Sequence, residues 1–294
     1  MKKFAPKIER KDYWVRELKK FIPKFLEEHP ILKNFHENAT VILHGSITLG
    51  FDDPFSDIDL WFLLPENELM ELKSVSESLF FNIEHEFKSG HLNAESIEDF
   101  SRRFHQLKNH NDQNDMDIVF QLRNAEVVID ESGIGDELVK LACQPMRKEV
   151  SELFFFYHYV EMRGEHRTSD NPMERHDPVG VLLSLPKTIA HALRAAMVLD
   201  GEPYPYDKWL YYTASQTPTG KKLIPSVEKI INLIADDKLR FKGSEADHPI
   251  GQELRVIRRI LIEAAQAKGN NSPWLEKWWL YITHSRDQIK NVNW

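Results

Sequence analysis

The sequence predicts an α+β protein in which a mixed α/β half is followed by an all-helical half. Short β-branched or apolar runs alternate with helical segments up to about residue 135. From there onward, long segments carry helical periodicity and none alternates as a strand does. The chain has 294 residues, enough for two domains of ordinary size. We therefore place the domain boundary between 135 and 150 and predict domains over 1–140 and 141–294.

Local patterns assign the first elements of the chain. Behind Asp12, apolar residues recur every three or four positions, which predicts an amphipathic helix with a kink at Pro23. The runs TVILH (40–44) and IDLWFLL (58–64) predict two strands. The segment between them, GSITLGFDDPFS, carries the Gly, Pro and Asp residues of a loop.

Further elements are predicted in the rest of the first half. They are a helix over 66–79, a strand over 80–87, a helix over 94–107, and strands over 116–122 (MDIVFQL) and 125–130 (AEVVID). In the strand over 80–87, Phe81, Ile83 and Phe87 would share one face. Glu84 and Glu86 would then lie together on the opposite face.

Apolar stripes and start signals predict the helices of the second half. One stripe begins at Leu254 and repeats every three or four residues. Ser272 followed by Pro273 is a helix-start signal, and it predicts a final helix that holds Trp274 and Trp278. At this spacing the indole rings are expected to pack in the core rather than to stack on a cofactor.

Composition excludes several classes of protein. The chain is 41% hydrophobic and 29% charged, with only 12 Gly and 15 Pro, which excludes collagen-like, low-complexity and wholly disordered proteins. Its 38 Lys and Arg residues against 46 Asp and Glu residues give a net charge of -8. Attraction to a nucleic-acid backbone therefore cannot be a property of the whole surface, although a local basic pocket is compatible with this charge.

Three features of the sequence predict a cytoplasmic protein. The single cysteine, Cys143, can form neither an internal disulfide nor a thiolate metal cage, which favours a reducing compartment. The first residues carry charges every few positions and no apolar stretch, so we expect no secretory signal. The apolar region 179–199 is interrupted by Pro186, Lys187 and Arg194, so we expect no membrane span.

The segment most informative about chemistry is Gly45-Ser46, followed after ten residues by Asp57 and Asp59. Side chains two apart in a strand point the same way, so the two aspartates would project from one face. Adjacent carboxylates repel unless a cation joins them. Oxygen ligands suit Mg²⁺, which shares its remaining positions with water and substrate phosphates. The pair therefore predicts a magnesium site for a phosphate-bearing substrate.

The residues ahead of the pair could hold that phosphate. Gly45 lets the backbone approach a phosphate closely, and Ser46 adds a hydroxyl donor. Thr48 to Gly50 could open a short helix whose amides point at an anion. The alternative is a solvated strand end after an ordinary glycine-containing turn.

The sequence HGSITLGFDDPFSDIDLW resembles the signature of the DNA polymerase beta-like nucleotidyltransferases. In that signature an apolar residue, Gly, and Gly or Ser precede a loop and then Asp-apolar-Asp-apolar; here His44 replaces the usual apolar residue. Within the superfamily the chain is similar to bacterial nucleotidyltransferases of the aminoglycoside-adenylyltransferase type and their relatives. GEPYPYDKWLYY is also similar to a Tyr-Pro-Tyr-x-Lys-Trp-Leu segment of some of those relatives.

The resemblance implies a fold and a reaction. The fold is a polymerase beta-like domain, a mixed sheet with flanking helices, followed by an all-α domain. Asp57 and Asp59 would hold two Mg²⁺ ions that bridge the phosphates of a nucleoside triphosphate, with ATP as the first candidate. Gly45 and Ser46 would position those phosphates.

The family pattern also has a third carboxylate on a neighbouring strand, which helps to hold the metal and can accept the proton of the attacking hydroxyl. Glu84 and Glu86 follow the first helix after the motif, where the resemblance would place this group, and Asp117 is their competitor. We favour Glu84 or Glu86. Any one of the three could instead cap or solvate the edge of a sheet.

The helical domain would supply cations to the nucleotide and contacts to the acceptor. Lys208 is the first candidate. Behind it come three other cations of that domain, Arg175, Lys187 and Arg194. Each could equally form a structural salt bridge. Three aromatic residues could stack on a base or acceptor ring, or pack between helices: Tyr204, Tyr206 and Trp209.

The sequence thus predicts a Mg²⁺-dependent nucleotidyltransferase that moves a nucleoside monophosphate to a hydroxyl of a small-molecule acceptor and releases pyrophosphate. No membrane partner is predicted. One alternative is a non-catalytic nucleotide-binding or regulatory protein, for which an absent third carboxylate would argue. Another is an RNA-directed nucleotidyltransferase, which the acidic balance disfavours without excluding nucleic acid.

Overall fold

The computed structural model describes residues 8–107, 109–110, 113–114, 116–236, 247–290 and 292–294. The chain divides into two compact units. The first comprises Met1–His105 and Ile118–Gln144, and the second comprises Gln106–Asp117 and Pro145–Trp294. The segment 106–117 therefore groups with the second unit, an interruption that the predicted domains over 1–140 and 141–294 do not include.

The first unit is mixed α/β. Its elements, in chain order, are α1 (Ile8–Glu28), a 3₁₀ turn (Leu32–Asn34), β1 (Thr40–His44), β2 (Ile58–Leu64), α2 (Glu66–Val75), β3 (Phe80–His85), β4 (Lys88–Ser96) and α3 (Ile97–His105). The segment that groups with the second unit then carries three two-residue strands, β5 (Gln106–Leu107), β6 (Asn109–His110) and β7 (Gln113–Asn114). The first unit continues with α4 (Met116–Asn124), β8 (Glu126–Asp130) and α5 (Ile134–Ala142).

A five-stranded mixed sheet forms the centre of this unit, in the order β3-β4-β2-β1-β8. Strand β2 pairs antiparallel with β1 and parallel with β4. Helix α1 packs on the sheet, because Leu18, Ile22 and Leu26 are fully buried in the same cluster as Leu60 and Phe62 of β2. The amphipathic helix predicted behind Asp12 and the strands predicted over 40–44 and 58–64 are confirmed.

Strand β3 is shorter than predicted. The expected strand over 80–87 ends at His85, and Glu86 and Phe87 form the turn to β4. Phe87 is 63% exposed and does not join Phe81 and Ile83 on the buried face. The reason is that β3 and β4 form an antiparallel hairpin, and the two residues at its tip must leave the pleat.

Strand β4 replaces the start of the helix that was predicted over 94–107. Its pairing with β2 continues to the partners Leu64 and Ser96, so 94–96 remain extended. The hydroxyl of Ser96 accepts a hydrogen bond from the amide of Asp99 at 3.1 Å, which caps α3. The helix thus begins at Ile97.

The strand predicted over 116–122 is wrong, because this run forms α4. Met116, Val119 and Leu122 are fully buried, and little of the run is exposed. A short apolar run surrounded by protein gives no periodicity that separates a strand from a buried helix. The strand predicted over 125–130 is confirmed as β8.

The second unit is mainly helical, which confirms the predicted fold class. Its helices are α6 (Lys148–Glu174), α7 (Pro178–Leu199), α8 (Asp207–Ala214), α9 (Pro218–Ala235), α10 (Pro249–Ala267) and α11 (Ile282–Gln288). Two 3₁₀ turns (Pro273–Leu275 and Trp278–Leu280) precede α11, and β9 (Val292–Asn293) pairs with β5. The final helix predicted to hold Trp274 and Trp278 is wrong, because the backbone there closes i,i+3 hydrogen bonds.

Helix α7 lies at the centre of the second unit. By length and composition it is the one helix of the described chain that could cross a membrane. However, 61% of its most apolar window is buried inside the protein. The core helix of a soluble bundle has the same properties, so this feature is weak evidence for a membrane span.

Candidate functional site

The two aspartates of the sequence motif lie at the start of β2. Ile58 and Leu60 are buried at 0% and 1% exposure, whereas Asp57 and Asp59 are partly exposed. The alternation places the carboxylates on the face opposite the α1 core, as the period of a strand requires. The side chain of Asp57 is 44% exposed, so solvent and ligands can reach it.

Gly45 lies against the second carboxylate. It directly follows His44, which pairs with Asp59 across β1 and β2. Its φ is +80°, and a Cβ at this position would lie 2.4 Å from Oδ2 of Asp59. The amide of Gly45 donates to Oε1 of buried Gln121 at 3.3 Å. Only glycine combines this backbone conformation with this approach, so the turn and the carboxylate form one local structure.

Ser46 is the second residue of the turn. It is 5% exposed, and its Oγ has no hydrogen-bond partner within the described part of the chain. A buried hydroxyl without a partner is costly unless a ligand or water supplies one. Ser46 therefore has the property expected of a phosphate donor.

The helix suggested at Thr48 to Gly50 does not form. Residues 45–50 are turns. The amides of Leu49, Gly50 and Phe51 donate to backbone carbonyls of the same loop at 2.9 to 3.2 Å. These three amides already donate within the loop, so the helix N-terminus suggested here as an anion site does not form.

His44, the departure from the family signature, behaves as an apolar aromatic residue. Its ring stacks on Trp61 with the centroids 3.9 Å apart and the planes at 15°. Burial lowers the pKa of His44 to about 3, so the ring is neutral at neutral pH. His44 therefore does not act as a cation beside the aspartates.

The strand next to the aspartates carries a histidine opposite Asp59. In the parallel register of β2 and β4, Asp59 pairs with His91. Nε2 of His91 lies 3.4 Å from Oδ2 of Asp57, and its Nδ1 is buried with no hydrogen-bond partner in the part of the chain that is described. The ring also packs on Phe80 at a centroid distance of 4.5 Å.

Glu84 and Glu86 do not join the aspartate pair. Glu84 lies on β3, one strand beyond β4, and two strand spacings amount to about 10 Å. Its register partner is Ser89 rather than a residue of β2. Glu86 lies in the hairpin turn, off the strand face on which it was predicted. We assign neither as the third carboxylate.

Asp117 is also misplaced by the strand prediction. It lies in the first turn of α4, and its Oδ1 accepts a hydrogen bond from the backbone amide of Tyr206 at 3.0 Å. Both residues belong to the second unit. This contact gives Asp117 a structural function in that unit.

The cations predicted from the helical half have local partners or lie exposed. Lys208 is exposed on α8, with Nζ 4.9 Å from the ring centre of Trp209. Arg194 binds Asp207 at 2.6 Å. Arg175 and Lys187 are exposed. The surroundings of these four residues do not indicate a phosphate contact, so their function in nucleotide binding stays a prediction.

The aromatic residues around α8 divide into core and surface. Tyr204 is 3% exposed, and its hydroxyl lies 2.6 Å from Nε2 of His158, which makes it a core residue. Tyr206 is 40% exposed, and its hydroxyl accepts a hydrogen bond from the indole of Trp209 at 3.0 Å. Of the three predicted aromatic residues, Tyr206 and Trp209 have surface that could contact a ligand.

The residues fit a magnesium ion that arrives together with a nucleotide. Among the described residues, no group of three or more His, Cys, Asp or Glu side chains could hold a metal by itself. Mg²⁺ usually binds through one or two carboxylates, and phosphate oxygens and water complete its coordination. Asp57 and Asp59 meet this requirement, whereas the imidazole of His91 is a poorer ligand for so hard a cation.

Two residues of this site were missed from the sequence. The alternation of Gly90, Leu92 and Ala94 with polar neighbours is the pattern of a strand, and it would have placed His91 on the polar face of that strand. Gln121 is a polar residue within the apolar run 116–122, which is a signal of a buried hydrogen bond.

Comparisons with known proteins find a nucleotidyltransferase domain in the first half of the chain. The family model described as a nucleotidyltransferase domain matches residues 18–154, which include the Gly45 turn and both aspartates. No curated protein matches the chain. Among solved structures, the chain is similar to a nucleotidyltransferase-like protein from Exiguobacterium sibiricum, with 11% identity and a TM-score of 0.44 over 93% of this chain and 81% of that chain. Residues 18–154 thus match the nucleotidyltransferase domain family, over a little less than half of the chain.

Proposed function

We propose that the protein transfers a nucleoside monophosphate from a nucleoside triphosphate, with ATP as the first candidate, to a hydroxyl of a small molecule. The observation that carries this proposal is the contact of Gly45 with Asp59, because it puts a glycine-serine turn directly beside a pair of strand carboxylates. The turn suits phosphate and the pair suits the cation that accompanies it. The family match supports nucleotidyl transfer in general.

In this proposal, the chain's own residues bind and orient the nucleotide. Asp57 and Asp59 would hold one or two Mg²⁺ ions, which when bound would neutralise the phosphates and the leaving pyrophosphate. Ser46 Oγ donates to a phosphate oxygen, and Gly45 leaves room for that phosphate. His91 lies beside the pair, with Nε2 3.4 Å from Oδ2 of Asp57.

A specific observation favours a second candidate, a nucleotide-binding protein without turnover. The position on β4 that faces Asp59 carries His91 and not a carboxylate. A domain with only two carboxylates would bind Mg²⁺ with nucleotide more weakly than one with three, and transfer would suffer more than binding. The two candidates share the binding site and differ in pyrophosphate release.

Thermal unfolding with each ribonucleoside triphosphate, with and without Mg²⁺, tests the shared site. A triphosphate at about one hundred times its dissociation constant should stabilise the protein by about 2.7 kcal/mol, a shift of several degrees. Asp57→Asn should lose the Mg²⁺-dependent part of this shift. Asp12→Asn, an exposed change of the same kind on α1, is the matched control and should keep it. Absence of a shift with every triphosphate would contradict nucleotide binding.

His91→Asp is expected to add a third carboxylate to the site. The Mg²⁺ concentration that gives half of the nucleotide-dependent stabilisation should fall about tenfold, because a further anionic oxygen ligand joins the pair. His91→Asn is the control, since it removes the imidazole without adding charge. If the two variants bind Mg²⁺ equally well, position 91 does not contact the metal.

Pyrophosphate release by the wild type with a panel of hydroxyl acceptors then decides between transfer and binding alone.

A further inference from the structure

The helical unit contains a cavity of about 460 Å³ lined by basic side chains. Its walls come from α6, α10 and the 3₁₀ turn Trp278–Leu280. Four arginines line it, Arg163 and Arg167 from α6 and Arg255 and Arg258 from α10. None of these residues takes part in the aspartate site of the first unit.

The cavity carries more positive than negative charge. Asp170 is the one carboxylate among its lining residues, and it binds Arg167 at 3.2 Å. Arg258 binds Glu276 at 2.5 Å. Burial and the neighbouring Arg258 guanidinium lower the pKa of Arg163, which shows how closely like charges are crowded here. A protein that holds its guanidiniums in this way gains free energy from a bound anion.

Two arginines that line the cavity each have a buried hydrogen-bond donor without an acceptor. Nε of Arg163 and Nε of Arg258 are buried, and neither has a hydrogen-bond partner within the described ranges. Arg163 otherwise contacts Nδ1 of His166 at 3.3 Å and the ring of Trp278 at 5.7 Å, both of them uncharged neighbours. Burial lowers the pKa of His166 to about 3, so its Nδ1 can accept a hydrogen bond but adds no charge. Because these two atoms have almost no accessible surface, a ligand in the cavity would act through the positive charge of the guanidiniums rather than on Nε itself.

The indole rings give the cavity one flat side. Trp278 is 8% exposed and packs edge to face with Trp279 at 6.1 Å. Trp279 is 57% exposed, so its ring is available to a planar group of a ligand. Guanidiniums next to an indole suit a phosphate that carries an aromatic ring, and they also accept phosphate alone.

We propose that this cavity is a binding site for the phosphate group of a small molecule, separate from the aspartate site. A phosphate carries two negative charges near neutral pH and offers three or more acceptor oxygens, which matches several guanidiniums better than a single carboxylate does. The phosphate can come from inorganic phosphate or from a nucleotide. The two sources differ in whether Trp279 contributes to binding.

Calorimetric titration of the full chain with inorganic phosphate and with adenosine monophosphate, in Mg²⁺-free buffer at constant ionic strength, tests the proposal. Arg163→Gln should weaken binding of both probes at least tenfold, because charge-assisted hydrogen bonds are lost. Arg255→Gln, at a half-buried position, should also weaken binding of both probes. It tests the proposal even if Arg163→Gln does not fold. Arg259→Gln, at an exposed arginine of α10 that does not line the cavity, is the matched control and should bind as the wild type does.

The experiment separates this cavity from the proposed nucleotidyltransferase site. Asp57→Asn should bind phosphate without Mg²⁺ as tightly as the wild type does, whatever becomes of its triphosphate binding. If Trp279→Ala weakens adenosine monophosphate but not phosphate, a nucleotide is the source; equal effects point to phosphate alone. Either no saturable phosphate binding by the wild type, or equal affinity in Arg163→Gln and Arg259→Gln, would overturn the proposal.

Discussion

Gly45→Ala is expected to remove most of the Mg²⁺-dependent nucleotide binding, although no charged residue is replaced. The new Cβ would lie 2.4 Å from Oδ2 of Asp59, closer than any real contact, so the carboxylate must leave its position. The backbone φ of +80° adds strain of about 1 to 2 kcal/mol for a residue with a side chain. A displaced ligand should lower Mg²⁺ affinity by about ten- to one-hundredfold or more. Mg²⁺ titration of the triphosphate-dependent thermal shift measures the loss.

Gly133→Ala separates the clash from the strain. Gly133 has nearly the same φ, +77°, and lies in the same unit, but a Cβ there meets nothing within 4 Å. Both variants should therefore lose a similar amount of stability to backbone strain. Only the Gly45 variant should lose nucleotide binding. Equal Mg²⁺ affinity in the two variants would show that the position of Asp59 does not matter for binding.

The part of the candidate site that could be predicted is the part encoded locally. The face shared by Asp57 and Asp59 follows from the two-residue period of a strand, and the turn follows from Gly45 and the loop composition. Both are confirmed by β2 and by the contact of Gly45 with Asp59. No long-range information is needed for these features.

The third position of the site could not be predicted, because it depends on which strand pairs with β2. The parallel register that sets His91 opposite Asp59 joins residues more than thirty positions apart. A shift by one residue would turn every side chain of β4 to the other face. Glu84 and Glu86 look suitable in sequence because the order of the strands in the sheet, with β4 between β3 and β2, is not encoded locally.

The contacts between helices inside the helical unit also could not be predicted from local sequence patterns. His158 on α6 and His191 on α7 meet with their Nδ1 atoms 2.9 Å apart, although they are 33 positions apart in sequence. Their helices each carry ordinary periodicity, and only the packing of α6 on α7 brings the rings together. From sequence, each was one of thirteen histidines with no metal-binding spacing.

This buried pair predicts a strong loss of stability in acid. His158 is 1% exposed and His191 is 8% exposed. Burial, with Arg194 nearby, lowers the pKa of His191 to about 3 and that of His158 well below its ordinary value. The unfolded chain, with pKa values near 6.5, therefore binds more protons than the folded chain as the pH falls from about 6.5 toward 3. The free energy of unfolding should fall in this window by about 1.4 kcal/mol per pH unit for each histidine.

Urea unfolding at a series of pH values, followed by far-ultraviolet circular dichroism, measures this slope, and His191→Gln assigns it. Glutamine keeps a hydrogen-bonding side chain but does not titrate, so the variant should be less stable at pH 7.5 yet lose less stability between pH 6.5 and 4.5. His284→Gln, at an exposed histidine of the same unit, is the control and should keep the wild-type slope. Because burial also lowers the pKa of His44 and of His166 to about 3, a residual slope of the same sign should remain. An unchanged slope in His191→Gln would show that the pKa of His191 is not lowered in the folded protein.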